Sequence, residues 1–250
     1  MPPESPLIEV RQLCKLTEFE EVVRLQREIW GFDDLDLLPL RLFVVASKIG
    51  GQLLGGFVNG KMVGFVLCIP GLKPGGKQFL HGHMLGVLPD FRNTGLGRRM
   101  KLEQRAYALA TGIDLIEWTF DPLELKNASF NIERLGVIVR RYVHNQYGTT
   151  SSHLHAGLPT DRLVAEWWVG SKHVESLAAG RTRPPRKTVE RISVPADIAR
   201  IKRDDPARAR DLQRAISIQF DELFRSGLTV LRFERNDAAG TYLLGPWESK

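Results

Sequence analysis

Phe79-Leu80-His81-Gly82-His83-Met84-Leu85-Gly86-Val87-Leu88-Pro89-Asp90-Phe91-Arg92-Asn93-Thr94-Gly95-Leu96-Gly97-Arg98-Arg99-Met100 is the stretch that decides how this chain of 250 residues is read. Residues 79–88 are apolar or small, which predicts a strand with His81, His83, Leu85 and Val87 on one face at period two. Pro89-Asp90 ends it, because proline has no N–H to give to a β-ladder. Arg92 to Gly97 spells Arg-x-x-Gly-x-Gly, and a helix is expected from about Leu96 to Thr111, stopped by Gly112.

The two glycines carry the chemistry. Lacking a Cβ, they let consecutive backbone N–H groups turn inward at a helix start. Those amides and the positive helix end make an anion nest. Arg92, Arg98 and Arg99 add charge, and a guanidinium matches phosphate geometry. Arg98, Lys101 and Arg105 are expected along one helical face. Arg92, Asn93, Thr94, Gly95, Leu96, Gly97 and Arg98 are therefore the candidate cradle for a pyrophosphate; the plain alternative is a strand–helix turn with solvated arginines. The pattern is not a P-loop, since no Gly-Lys-Ser/Thr follows. Nor is it the dinucleotide fingerprint, which needs a third glycine and a later acidic residue.

Residues 79–112 resemble the acetyl-CoA signature of the GNAT superfamily of N-acetyltransferases, in which a strand leads into (Arg/Gln)-x-x-Gly-x-(Gly/Ala) and a helix. The order of elements over about residues 8–170 is similar as well. Asp121-Pro122-Leu123-Glu124-Leu125-Lys126-Asn127-Ala128-Ser129-Phe130-Asn131, with Leu135-Gly136, resembles a bacterial and archaeal branch of predicted GNAT acetyltransferases. The resemblance implies an α/β (α+β) fold with a mixed, mostly antiparallel central sheet flanked by helices. It implies acetyl-CoA as co-substrate, an amine acceptor, and direct transfer in a ternary complex.

Site residues follow from the same resemblance. Loop amides of 92–98 would hold the CoA pyrophosphate, and the backbone at Leu85 and Val87 the pantetheine arm, with an N–H there facing the oxyanion. An Asn in the helix after residue 120 would bind the arm, which points to Asn127, with Asn131 one turn on. Members of the family often place a Glu four to six residues before the Val of the central strand; here those places hold His83, Gly82 and His81. Histidine accepts a proton near neutral pH, so His83, and next to it His81, are the candidate bases. The tyrosine that often protonates the departing thiolate is replaced by Ile132, leaving Tyr142 and Tyr147 as weak substitutes. The first two helices would overhang the acceptor, making Asp33, Asp34 and Asp36 candidate readers of an amine's charge, or else a solvated loop.

Totals limit the alternatives. Hydrophobic residues are 43% and charged ones 26%, a globular composition, and no apolar run reaches the roughly 18–20 residues of a membrane span. Met1 to Pro6 lacks a basic-then-apolar leader, and Cys14 and Cys68 show no metal spacing, so a reducing cytoplasm is expected. Residues 181–210 hold ten Lys and Arg against four Asp and Glu, and the rest of the chain carries 25 of each sign. That segment has no aromatic residue, which argues for a solvated connector over a nucleic-acid groove. Four of the six histidines form His-x-His pairs, His81/His83 and His153/His155. A metal site is thus one alternative function, although no carboxylate or Cys completes it, and no metal is assigned. A CoA-binding sensor without turnover is the other.

Strands are expected at 7–13, 52–58, 61–69, 115–120, 137–143 and 163–169, with Asn59-Gly60 as a hairpin turn. Helices are expected from a Thr17/Glu20 capping box to Trp30, from Pro39 to Lys48, and from an Asp121 cap to Leu135-Gly136. The expected layout is an acetyltransferase domain over 1–172, a basic connector over 173–204, and a C-terminal αβ extension over 205–250. Asp205-Pro206 opens a helix in that extension and a hairpin closes it. The extension either covers or extends the sheet or forms a homodimer contact.

Overall fold

The computed structural model describes residues 7–148, 157–181 and 186–247, which fall into two units with their boundary between Ile116 and Glu117. The first unit holds β1 (Ile8–Gln12), α1 (Leu16–Trp30), α2 (Leu40–Lys48), β2 (Gln52–Val58), β3 (Lys61–Leu72), β4 (Gln78–Val87) and α3 (Leu96–Ala110). Its strands lie in the order β1-β2-β3-β4, every neighbour antiparallel. Asn59 and Gly60 take φ of 50° and 81°, the left-handed pair that a tight hairpin requires. Phe19, Val22 and Leu25 of α1, Phe43 of α2, Leu53, Phe65 and Leu67 of the strands and Met100 of α3 share one buried core.

Two local readings change here. α1 starts at Leu16, and its cap is Glu18, whose carboxylate accepts the N–H groups of Cys14 and Lys15 at 2.9 and 3.0 Å. The expected Thr17/Glu20 box therefore does not open the helix. β4 also carries a bulge: Leu67 pairs with Met84 and Cys68 with Gly82, which leaves His83 opposite no residue. The extra residue reverses the phase of the pleat. Leu85 faces α3, its Cδ2 lying 3.8 Å from where a Cβ on Gly97 would stand. Gly86 faces α1, where a Cβ would meet Trp30 at 2.6 Å. Gly82 is on the α3 face, since its partner Cys68 receives a hydrogen bond from Gln104 of α3. His81 is thus on the α1 face, and the His83 ring, 5.9 Å from that of His81, shares it. The single face expected for His81, His83, Leu85 and Val87 does not exist, because the bulge separates the histidines from Leu85.

The boundary falls within β5 (Leu115–Phe120). The second unit continues with α4 (Leu125–Ala128), a π-helical stretch (Ser129–Leu135), β6 (Ile138–Val143), β7 (Arg162–Trp168), α5 (Lys172–Ala178), β8 (Glu190–Pro195), α6 (Ile198–Asp204), α7 (Pro206–Arg225), β9 (Leu228–Arg235) and β10 (Ala239–Pro246). Strand order is β5-β7-β6-β9-β10-β8, with β7–β6, β6–β9, β9–β10 and β10–β8 antiparallel. The C-terminal strands extend the sheet by pairing β9 with β6. Phe220, Phe233 and Tyr242 make its aromatic core, with the Phe220 and Phe233 ring centroids 5.2 and 4.8 Å from that of Tyr242. Of the two tryptophans, Trp167 is buried and donates Nε1–H to the Leu135 carbonyl at 2.8 Å, while Trp168 is half-buried.

Residues 190–204 form β8 and α6. The helix expected from Asp121 begins only at Leu125, since Asp121 Oδ1 caps a turn by accepting Leu123 N–H at 2.7 Å. Asp205 does cap α7, through Arg208 N–H at 3.0 Å. Both units are thus mixed α/β, with largely antiparallel sheets flanked by helices. Among the described residues no helix is long and apolar enough to cross a membrane.

Candidate functional site

After β4 the chain makes a single 3₁₀ turn, Pro89–Phe91, and Phe91 and Arg92 donate their N–H groups back to Leu88 and Pro89. Asn93 then takes φ 65° and Gly95 φ 88°, both left-handed, and α3 starts at Leu96. Thr94 Oγ1 donates to the Phe91 carbonyl at 2.8 Å and Arg92 Nε to the Val87 carbonyl at 3.1 Å, so the loop braces itself. Arg99 N–H donates to Gly95 O at 3.0 Å where α3 opens, and the first amides of a helix have no partner within its ladder.

The glycines serve different purposes. Gly95 is demanded by backbone conformation, since a Cβ there meets nothing within 4 Å but the φ is left-handed. Gly97 has neither constraint: a Cβ would only touch Leu85 Cδ2 at 3.8 Å. Alanine at such a place favours a helix by about 1 kcal/mol, so the protein's own packing does not explain Gly97. Open space at the positive end of a helix suits a phosphate group. Arg92, Asn93 and Thr94 are exposed and Arg98 is half-buried, while Leu96 is buried as the loop's apolar anchor.

Lys101 departs from expectation. It is 4% exposed, not on an open basic face with Arg98 and Arg105, which are half-buried. Burial pulls its ammonium down to about 8, and the same burial pushes the Cys68 thiol up to about 11. Gln104, fully buried, donates to Cys68 Sγ at 2.7 Å.

The His83 side chain remains open to solvent although protein surrounds its ring, and desolvation, then the neighbouring His81, hold it below the ordinary histidine value. On the same face of β4, Trp30 covers Gly86 and stacks on Phe32 with centroids 5.5 Å apart. This aromatic cover was not anticipated; a glycine between Leu85 and Val87 in a strand is the mark it leaves in the sequence. In the following loop Asp34 is engaged by Arg27 at 2.9 Å. Among the described residues no group of three or more His, Cys, Asp or Glu could hold a metal ion. His153 and His155 lie outside the described residues.

In the second unit Asn127 is exposed on α4. Asn131 is buried and accepts Trp118 Nε1–H at 3.3 Å, a structural engagement. Ile132, at the place of the family's tyrosine, is fully buried. Tyr142 donates its hydroxyl to Asp161 at 2.7 Å, and burial with that carboxylate pushes its pKa far up, so it is a poor proton donor. Tyr147 is exposed, with its hydroxyl 3.3 Å from Thr119 Oγ1.

Residues 18–136 match the family model described as the acetyltransferase (GNAT) family. Among solved structures, Arabidopsis thaliana NAA60 in complex with a bisubstrate analogue is 14% identical with a TM-score of 0.53, covering 65% of this chain and 98% of its own. Escherichia coli ribosomal-protein-S18-alanine N-acetyltransferase is 16% identical with a TM-score of 0.52, covering 66% and 96%. Salmonella typhimurium yncA, solved with acetyl-CoA, is 15% identical with a TM-score of 0.53, covering 66% and 95%. At these identities the likeness is one of fold. A search of curated proteins found no match.

Proposed function

We propose that this chain, whose residues 18–136 match the acetyltransferase (GNAT) family model, is an acyltransferase that moves an acetyl group from acetyl-CoA to an amine by direct transfer in a ternary complex. The observation that carries the donor is the loop between β4 and α3. Its left-handed Gly95, its uncrowded Gly97 and the positive end of α3 suit a pyrophosphate. Arg92 adds charge at its edge, with its Nη groups beyond the Nε bond to Val87. Asn93 and Thr94 shape the turn. Backbone at Leu85 and Val87 would take the pantetheine arm, and Asn127 is the proposed side-chain contact to CoA.

Transfer needs an unprotonated amine. His83 is the proposed base, with His81 beside it: a depressed imidazole is neutral at physiological pH and ready to accept a proton. The amine nitrogen attacks the thioester carbonyl, and a backbone N–H in 85–87 would stabilise the oxyanion. The C–S bond then breaks, and the amine's proton goes to His83. An ordinary thiol has a pKa near about 8.5, so the CoA thiolate can leave and take its proton from solvent. This accommodates Ile132 in place of an acid.

Two measurements test the reading. Calorimetric titration with acetyl-CoA should show binding that pantetheine and acetyl-pantetheine, which lack the pyrophosphate, do not reproduce. A panel of amines, assayed for CoA release, should then reveal turnover with at least one acceptor. A protein that binds no acetyl-CoA refutes the proposal.

A further inference from the structure

The segment that carries Asn127 is poorly equipped to hold itself. It has four residues of α-helix followed by seven of π-helix, and its N-cap residue Glu124 makes no side-chain cap. Short helices are marginal in water, and π-turns persist only under tertiary constraint. Besides the bonds from Trp118 to Asn131 and from Trp167 to Leu135, residues 121–135 are held at three places by residues beyond position 198. At the start, Lys202 of α6 donates Nζ to Asp121 Oδ2 at 3.0 Å and to Glu124 Oε1 at 3.2 Å. Next, the buried Tyr242 of β10 donates its hydroxyl to the Pro122 carbonyl at 2.7 Å. At the far end, Glu133 Oε1 accepts Phe233 N–H of β9 at 2.7 Å and Arg232 Nε at 3.2 Å. Leu125 is pressed between them against Gly240, where a Cβ would stand 2.8 Å from its Cδ2.

The matched family segment ends at residue 136, so every one of these outer partners lies beyond it. Lys202 is the telling one. Its side chain is 6% exposed, and a buried ammonium is tolerated only with partners in good geometry. An apolar residue would fill the space as well; two carboxylates at once fix the position of the turn.

We propose that the C-terminal extension, residues 198–246, sets the position of residues 121–135 for holding acetyl-CoA, with Lys202, Tyr242 and Glu133 as positioning residues. This rests on the donor reading given under Proposed function. It also gives the extension a role in the reaction, in addition to enlarging the sheet.

Acetyl-CoA is titrated calorimetrically into the wild-type protein and into Lys202→Met, Lys202→Arg, Tyr242→Phe and Gln213→Leu, each below its melting temperature. Tyr242→Phe removes one hydroxyl and keeps the ring, so it remains informative even where Lys202→Met folds badly. Gln213→Leu cuts a bond from α7 to the Pro159 carbonyl and serves as a destabilised control. Lys202→Met and Tyr242→Phe are expected to weaken acetyl-CoA binding on the order of tenfold, the scale of a misplaced positioning element. Lys202→Arg should restore most of the affinity, and Gln213→Leu should melt earlier with affinity unchanged. Native affinity in both Lys202→Met and Tyr242→Phe, with only melting temperatures lowered, overturns the inference while wild-type binding leaves the donor reading standing. A wild-type protein that does not bind acetyl-CoA overturns both.

Discussion

Arg92 donates its Nε–H to the Val87 carbonyl at 3.1 Å, tying the loop's first cationic residue to the last residue of β4. The guanidinium thereby fixes the loop's register with one nitrogen and keeps others for an anion. Lysine cannot do both, since its ammonium is a point charge on a flexible stem. Arg92→Ala is expected to weaken acetyl-CoA binding by about 1–3 kcal/mol, the worth of a charge-assisted contact. Arg92→Lys should recover only part of that. Calorimetry on the three proteins decides it, and equal affinities would remove Arg92 from the site.

Gly95 and Gly97 should separate stability from binding. Gly95→Ala forces a side chain into the left-handed region at φ 88°, costing about 1–2 kcal/mol of stability. Gly97→Val meets no such strain and gains helix propensity, so its melting temperature should stay close to that of the wild type. Its branched side chain stands over the amides of the loop, however, and acetyl-CoA affinity should fall steeply. A Gly97→Val protein that binds acetyl-CoA normally would mean the phosphate does not sit there.

Lys101 and Cys68 give stability a pH signature with opposite signs. The folded Lys101 loses its proton near 8 whereas the free side chain holds it to about 10.5. Across that window the unfolded chain binds more protons, so stability rises with pH. Cys68 works the other way: the unfolded thiol ionises near 9.0 and the buried one near 11, so stability falls between them. The net rise is therefore confined to about pH 8 to 9, and above that the two offset. Lys101→Met should abolish the rise and raise the melting temperature at neutral pH, because it removes a charge held in a desolvated place. Denaturant titrations at stepped pH would show it; a flat wild-type profile contradicts it.

Legibility in the sequence followed how local each cause was. The strand–loop–helix from 78 to 110 was readable because proline, the left-handed glycine and the apolar period all act within a few residues. Gln52–Val58 and Leu115–Phe120 were readable for the same reason. The bulge at His83 was not, because it is a mismatch between β3 and β4 that neither strand states alone. Lys101 looked like one of a row of cations, and its burial follows from where α3 lies on the sheet. Lys202 looked like part of a solvated basic run; its partners Asp121 and Glu124 stand about eighty positions earlier in the chain. Charge composition cannot show such a pairing. In the candidate site, the backbone of the loop between β4 and α3 was local and legible, whereas the face presented by His83 depended on the bulge.

That face bears on the final expectation, which concerns the base. His81 and His83 lie on the α1 side of β4, with Trp30 covering Gly86 on the same side. His83 is the more open of the two, and its depressed value keeps it neutral below the ordinary histidine range. If it removes the amine's proton, the acidic limb of the kcat/KM profile should fall below about 6.5, the unperturbed imidazole value. His83→Gln should lower kcat by about 10²–10⁴ and abolish that limb, with acetyl-CoA affinity unchanged. His81→Gln should do less to kcat but move the limb upward, since His81 is one of the two causes that depress its neighbour. The profiles need only the first acceptor that releases CoA, assayed from about pH 5.5 to about 9. Near-native kcat in both single variants and in the double variant would end the case for histidine, and water or a carboxylate of the 33–36 loop would take its place as proton acceptor.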